Sequence, residues 1–157
     1  MTISELGSIG EFVSAVAVVI TLIYLSVQIR QNSATTRAHI RQSLADSQVI
    51  YIGTRATDPF VRQVVGKMFA GQEVDEQEAF GLRMHIVAGI RMYENYFAQQ
   101  AIGTMVPEDW RAIREIIKFH FRFPAYRETF SLIESGWNRE FASEVRKIID
   151  ELDRDAS

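Results

Sequence analysis

The chain has 157 residues, no cysteine and a formal net charge of −3 at pH 7. The lack of cysteine excludes disulfides, thiolate catalysis and cysteine-ligated zinc or iron–sulfur sites. A charge this close to zero gives no support for a nucleic-acid partner, and only three prolines with few β-branched runs favour an all-α chain.

The first predicted element is an apolar helix at residues 9–29, in which Glu11 is the only charged residue. At 1.5 Å per residue, the uncharged run 12–29 covers about 27 Å, roughly the hydrocarbon core of a bilayer. We therefore predict a single N-terminal transmembrane helix. The alternative is a buried helix of a soluble bundle, which would need partners on every side.

Charge placement predicts the orientation of this span. The segment before it carries acids and no Lys or Arg, and no small-residue cleavage site follows it, so a cleaved signal peptide is not expected. All seventeen Lys and Arg residues follow the span. The positive-inside rule then predicts a short outer tail (residues 1–8) and a cytoplasmic C-terminal domain.

Small and polar residues of the span recur with alternating spacings of three and four, which places them on one helix face. This self-association seam consists of Gly7, Gly10, Ser14, Ala17, Thr21, Tyr24 and Gln28. In lipid, small residues let helix backbones approach closely, and hydroxyl or amide groups can bond across the contact. The seam predicts a homo-oligomer. A second interpretation is an oligomeric ion-conducting protein, with Glu11, Ser14 and Thr21 facing a pore.

Residues 30–56 are predicted to continue the helix as a basic stalk. No Pro or Gly occurs between residues 31 and 52, and Gly53 is expected to end the helix. Arg30, Arg37 and Arg41 follow the span closely. Near anionic lipids each such residue is worth about 1 kcal/mol, so we predict that they face headgroups.

Residues 57–157 are predicted to form a small bundle of about five helices. Each start combines a capping residue or proline with a following apolar face. The starts are signalled by Asp58-Pro59, Asp75-x-x-Glu78, Pro107, Pro124 and Asn138.

The helix that begins at Pro107 has two contrasting faces. Its basic stripe is Arg111, Arg114, Lys118 and Arg122, and its apolar stripe is Trp110, Ile113, Ile117 and Phe121. An anchored domain could lay such a helix on the membrane, which predicts lipid contact for the basic residues. The alternative is that the apolar side packs into the core and the basic side is solvated.

A polar group on the longest helix of the domain is a candidate pocket. It consists of His85, Arg91, Tyr93, Glu94 and Asn95. The alternative is a polar network that sets helix register. His120 could join His85 only if two helices bring them together. No histidine–carboxylate spacing typical of metal-binding helices occurs, so no metal or other cofactor is predicted.

Three segments carry a resemblance. Residues 24–32 (Tyr-Leu-Ser-Val-Gln-Ile-Arg-Gln-Asn), the pair Asp58-Pro59 and the group Arg91-x-x-Glu94-Asn95 resemble a group of uncharacterised small bacterial membrane proteins. Those proteins have one N-terminal span and a helical domain of this size. The resemblance implies this topology and a bacterial inner-membrane location, and it implies no activity.

These observations favour a membrane-tethered, non-enzymatic interaction or assembly module without catalytic residues. Its expected partners are the lipid bilayer, further copies of itself and an unidentified membrane or cytoplasmic protein, with no nucleic acid. A third interpretation is an enzyme with a pocket around His85, Tyr93 and Glu94.

Overall fold

The computed structural model describes residues 3–155, apart from the side chains of residues 3–6, 8 and 9. These residues form six α-helices, one short 3-10 helix and no strand, which confirms the predicted all-α class. The helices are α1 (Ile3–Thr57), α2 (Pro59–Phe69), α3 (Glu76–Ala101), α4 (Pro107–His120), α5 (Pro124–Leu132) and α6 (Arg139–Asp155), with the 3-10 turn Glu134–Gly136 before α6.

The chain divides into two compact units, Met1–Ile40 and Arg41–Ser157. In the first unit every described side chain from residue 10 to residue 39 is exposed. Among the described residues, α1 is the one helix long and apolar enough to cross a membrane, by length and composition. Its apolar window has a mean hydropathy of 2.3, and none of that window is buried within the chain.

The second unit is organised around α3, which packs against α2, α4, α5 and α6. The core is apolar and closely packed: Ile90, Ile117, Phe121 and Phe141 are fully buried. Burying a large apolar side chain is worth about 1.5–3 kcal/mol, so these contacts supply the main driving force for the domain.

Helix starts in this domain follow the capping residues of the sequence. Asp58 caps α2 and is followed by Pro59 at the first helical turn. Asp75 and Glu78 form a complete capping box at the start of α3. Asn138 Oδ1 accepts hydrogen bonds from two backbone N–H groups of the first turn of α6. These predicted starts are confirmed.

The end of α1 differs from the prediction, because the helix passes through Gly53 and ends at Thr57. A glycine inside a helix costs only about 1 kcal/mol relative to alanine. Tyr51 and Arg55, on either side of Gly53, make buried or half-buried contacts with α5 and α3 that stabilise the continued helix. By contrast, α2 and α3 are followed by Gly71 and Gly103, whose φ angles of 64° and 73° are left-handed.

Candidate functional site

A set of polar aromatic side chains and one arginine meets inside the second unit, where α1, α3, α4 and α5 converge. We call it the arginine–aromatic cluster: Tyr51, Arg55, His85, Tyr93, His120 and Tyr126. The five aromatic residues are at most 9% exposed, and Arg55 is half-buried. The cluster is therefore a largely buried polar network that joins four helices.

Arg55 is the centre of the cluster and has no carboxylate partner among the described residues. Its Nε donates to His85 Nε2 at 3.0 Å, and Nη2 donates to the Tyr51 hydroxyl at 3.0 Å and the Tyr126 hydroxyl at 3.3 Å. The guanidinium also lies 4.7 Å from the centroid of the Tyr51 ring. Neutral acceptors and a π face therefore stabilise this cation.

His85 is held as the neutral imidazole by this arrangement. Because arginine has donors and no acceptor, His85 Nε2 must accept, which places the ring proton on Nδ1. Burial, reinforced by the charge of Arg55, lowers the pKa of His85 to about 4. Its ring stacks on Tyr51 with centroids 4.5 Å apart.

His120 occupies the other side of the cluster. Its Nδ1 lies 2.7 Å from the Tyr93 hydroxyl, and its ring stacks on Tyr126 with centroids 4.9 Å apart. Burial, followed by the charge of Arg55, lowers the pKa of His120 to about 4. Burial also raises the pKa of Tyr93 and Tyr126 well above the ordinary range. At neutral pH both histidines are thus neutral and both phenols are protonated.

Gly89 of α3 lets Tyr51 enter the cluster. A Cβ built at position 89 would lie 2.7 Å from Tyr51 Cζ and closer still to the hydroxyl oxygen. Any larger residue would therefore displace the ring that supports Arg55 and His85. On the same side of α3, the Tyr96 hydroxyl donates to the carbonyl of Leu44 at 3.0 Å, which adds a second tie to α1.

The arginine–aromatic cluster is a polar network whose hydrogen-bonding groups pair with one another. Every fully enclosed side-chain N or O atom in the described part of the chain has a hydrogen-bond partner. No group of three His, Cys, Asp or Glu residues able to hold a metal ion occurs among the residues whose side chains the structure describes. The arrangement specifies how the last turns of α1 pack on α3 and α5.

The structure separates the candidate pocket residues into two sets. His85 and Tyr93 lie on the buried face of α3 and belong to the cluster, together with His120, which two helices do bring near. Arg91, Glu94 and Asn95 lie on other faces of the same helix and are not buried. These five residues therefore do not share one pocket, because a helix turns by 100° per residue.

Arg91 and Glu94 hold the start of α6 to α3. Arg91 donates to Glu94 Oε2 at 2.6 Å and to the carbonyl of Gly136 at 3.0 Å. Glu94 Oε1 accepts from the backbone N–H of Asn138 at 2.6 Å. The Arg91 guanidinium also lies 4.2 Å from the ring centroid of Trp137. This supports the interpretation of a network that sets helix register.

Two members of the basic stripe on α4 form ion pairs with α6. Arg114 bridges Glu144 at 2.9 Å and Glu151 at 2.5 Å, and Lys118 lies 3.0 Å from Asp155. The apolar stripe of α4 points inward, with Ile117 fully buried. The structure thus places Arg114 and Lys118 against α6 and packs Ile117 into the core.

The other five basic residues that were predicted to contact lipid are exposed. Arg111 pairs with Glu108, and Arg41 pairs with Asp109, in surface contacts of 3.0 and 3.2 Å that contribute at most about 1 kcal/mol each. The remaining exposed members are Arg30, Arg37 and Arg122. These five residues retain surfaces that a headgroup could reach.

The seam residues lie in the first unit, on the exposed surface of α1. Thr21 Oγ1 donates to the carbonyl of Ala17 at 2.8 Å, and Gln28 Nε2 donates to the Tyr24 hydroxyl at 2.8 Å. Gly7, Gly10 and Ser14 complete the seam and are exposed. Tyr24 and Gln28 keep one hydroxyl proton, one amide N–H and one amide oxygen for further bonds.

Tyr51, Arg55 and Tyr126 were not predicted as site residues. A stalk in contact with headgroups was expected at residues 30–56, whereas the segment after residue 40 packs in the second unit. The available signal was the spacing of Leu44, Tyr51 and Arg55, which places a leucine, an aromatic ring and a cation on one face of α1.

Comparison with known proteins finds no match to this chain among protein-family models, curated proteins or solved structures. The resemblance to small bacterial membrane proteins therefore stays a prediction from the three segments that carry it.

Proposed function

We propose that this protein is a membrane-anchored, non-enzymatic assembly module. The apolar part of α1 that lies in the first unit crosses the membrane, and copies of the protein associate through the seam. The observation that carries this proposal is the surface of residues 12–29, which is uncharged and exposed at every position. A surface of this size needs lipid or another protein around it.

The exposure of α1 argues against the alternative of a buried core helix. Such a helix would have neighbours on all sides, yet no residue of the apolar window is covered by the rest of the chain. A bilayer covers all sides at once and requires no change in the second unit.

Self-association is supported by the hydrogen-bonding groups of the seam that have further bonds to make. The Gln28 amide and the Tyr24 hydroxyl satisfy each other only in part. In a low-dielectric medium the remaining donors and acceptor favour a partner helix, and such contacts are worth about 0.6–2 kcal/mol each. The alternation of three and four residues keeps the seam facing a neighbour along a left-handed crossing.

The proposed orientation has the N-terminus outside a bacterial inner membrane and the second unit in the cytoplasm. It is supported by the position of every Lys and Arg after residue 29. Arg30 and Arg37, both exposed, would contact inner-leaflet headgroups.

Cysteine crosslinking in membranes tests the seam directly, since the chain has no cysteine of its own. Single cysteines placed at each position from 7 to 28 should crosslink with the alternating period of three and four, with maxima at Gly10, Ser14, Ala17 and Thr21. A flat profile, or maxima at Val16 and Val19, would contradict the proposed interface. The size of the crosslinked species also separates a dimer from the ring that a pore would require.

A matched pair of substitutions provides a second test. Ala17→Leu adds bulk where two backbones must approach, whereas Val16→Leu exchanges one apolar side chain for another of similar character outside the seam. We expect the first to reduce the oligomer severalfold and the second to leave it unchanged. Equal effects of both would mean that position 17 is not at an interface.

A further inference from the structure

A cavity of about 310 Å³ lies in the second unit between the start of α3 and α5, separate from the arginine–aromatic cluster. Val74 of the α2–α3 loop, Leu82 and Ile86 of α3 contribute its apolar walls. Its volume is at the lower limit of ligand pockets, and it corresponds to on the order of ten non-hydrogen atoms.

Thr129 supplies an unused polar group on the wall of this cavity. Its side chain is only 4% exposed, yet it forms no hydrogen bond with any described residue. Every fully enclosed side-chain N or O atom of the described chain is bonded, so the Thr129 hydroxyl is not fully enclosed, and Thr129 itself lines the cavity. A ligand in the cavity can supply the hydrogen-bond partner that the described residues do not give this hydroxyl.

Two residues of opposite charge stand at the rim. Arg83 of α3 and Glu128 of α5 both line the cavity and are exposed. Neither takes part in an ion pair within the described residues, so they do not neutralise each other. The rim therefore offers one cationic and one anionic contact at a single opening.

We propose that this cavity binds a small zwitterion with an apolar side chain, the chemical class of the apolar α-amino acids. The carboxylate pairs with Arg83 and accepts from the Thr129 hydroxyl, the ammonium pairs with Glu128, and the side chain packs on Leu82 and Ile86. A ligand with only a carboxylate would place its negative charge near Glu128 without a compensating ammonium. A ligand with only an amine would place its positive charge near Arg83 without a compensating carboxylate. The rim thus favours a ligand that carries both charges.

Binding measurements on the full chain in nanodiscs test this assignment. The probes are L-phenylalanine and two analogues that each lack one charge, 3-phenylpropanoate and phenethylamine. We expect L-phenylalanine to bind at least about tenfold more tightly than either analogue. Equal or tighter binding of an analogue, or no binding of L-phenylalanine at millimolar concentration, would overturn the proposal.

Charge-neutral variants identify the contacts. Arg83→Gln should weaken binding of L-phenylalanine about tenfold and strengthen binding of phenethylamine, because it removes a like charge beside the amine. Glu128→Gln should weaken L-phenylalanine equally and strengthen 3-phenylpropanoate for the same reason. Both positions are exposed, so neither change threatens folding. Glu115→Gln, at an exposed position of α4 outside the cavity, is the matched control and should bind as the parent does.

A filling variant tests whether the cavity itself is the site. Ala125→Leu introduces a side chain into the lining and should abolish binding, with tryptophan emission confirming that the domain stays folded. Unchanged affinity in a folded Ala125→Leu protein would mean that L-phenylalanine binds elsewhere. Thr129→Val retains the shape and removes the hydroxyl, and it should weaken L-phenylalanine severalfold.

Discussion

Arg55 Nε donates a hydrogen bond to His85 Nε2 across 3.0 Å, and this bond joins the end of α1 to α3. The contact exists only while His85 is neutral, because a protonated ring would present a second donor to the guanidinium. Stability of the second unit is therefore coupled to the protonation of a buried imidazole.

The first prediction concerns pH. The folded-state pKa of His85 is about 4, below the ordinary value near 6.5 in the unfolded chain. As pH falls from 6.5 towards 4, the unfolded state takes up a proton that the folded state does not. The free energy of unfolding should thus be at its plateau above pH 6.5 and fall by on the order of 2 kcal/mol per histidine across this window. Urea unfolding of the full chain in detergent, followed by tryptophan emission, measures this slope.

His85→Gln separates this effect from other titrations. Its amide oxygen can still accept from Arg55, and it does not titrate. We expect a smaller slope between pH 6.5 and 5, above the range of ordinary carboxylates. The control is His39→Gln, at an exposed position in the first unit, which should leave the slope as it is. An identical slope in the parent and His85→Gln would contradict the coupling.

The second prediction concerns Gly89, where a methyl group would collide with Tyr51. Gly89→Ala should destabilise the second unit by about 1–3 kcal/mol, as overpacking does. Gly66→Ala is the control, because a Cβ at this helical position of α2 meets no atom within 4 Å. It should stabilise by roughly 0.5–1 kcal/mol through helix propensity. Urea midpoints measure both, and a loss of stability in both variants would contradict the steric argument.

The third prediction concerns the link between α4 and α6. Arg114→Gln leaves Glu144 and Glu151 without the cation that bridges them, and we expect a loss of roughly 1–3 kcal/mol. Arg111→Gln removes an exposed pair of the same helix and should cost less than about 0.5 kcal/mol. Equal changes in urea midpoint for the two variants would mean that Arg114 contributes no more to stability than a solvated surface charge.

The fourth prediction concerns topology. A reporter that is active only in the cytoplasm, fused after residue 157, should be active, because all Lys and Arg residues follow the span. A reporter active only in the periplasm should be silent at the same site. The reverse pattern would contradict both the proposed orientation and the proposed contacts of Arg30 and Arg37 with inner-leaflet headgroups.

Local signals in the sequence were enough to predict the helices and most of their ends. Asp58, Asp75 and Asn138 were predicted as caps because a cap depends on residues within one turn. The composition of residues 12–29 likewise predicts an apolar environment for this segment, and the prediction does not depend on the rest of the chain. The basic and apolar stripes of α4 were visible from periodicity alone, since both lie on one helix.

Tertiary packing decided what those helix faces contact. Whether Arg114 meets lipid or Glu151 depends on a carboxylate on α6, and no rule based on local spacing connects the two positions. The same holds for Arg55, whose partners His85 and Tyr126 come from α3 and α5. Gly89 alone permits Tyr51 to reach them, and its small size gives no local signal of that purpose. Sequence alone thus determined the helices and the uncharged surface, whereas long-range contacts decided which polar groups are buried together, because only the folded chain brings those helices side by side.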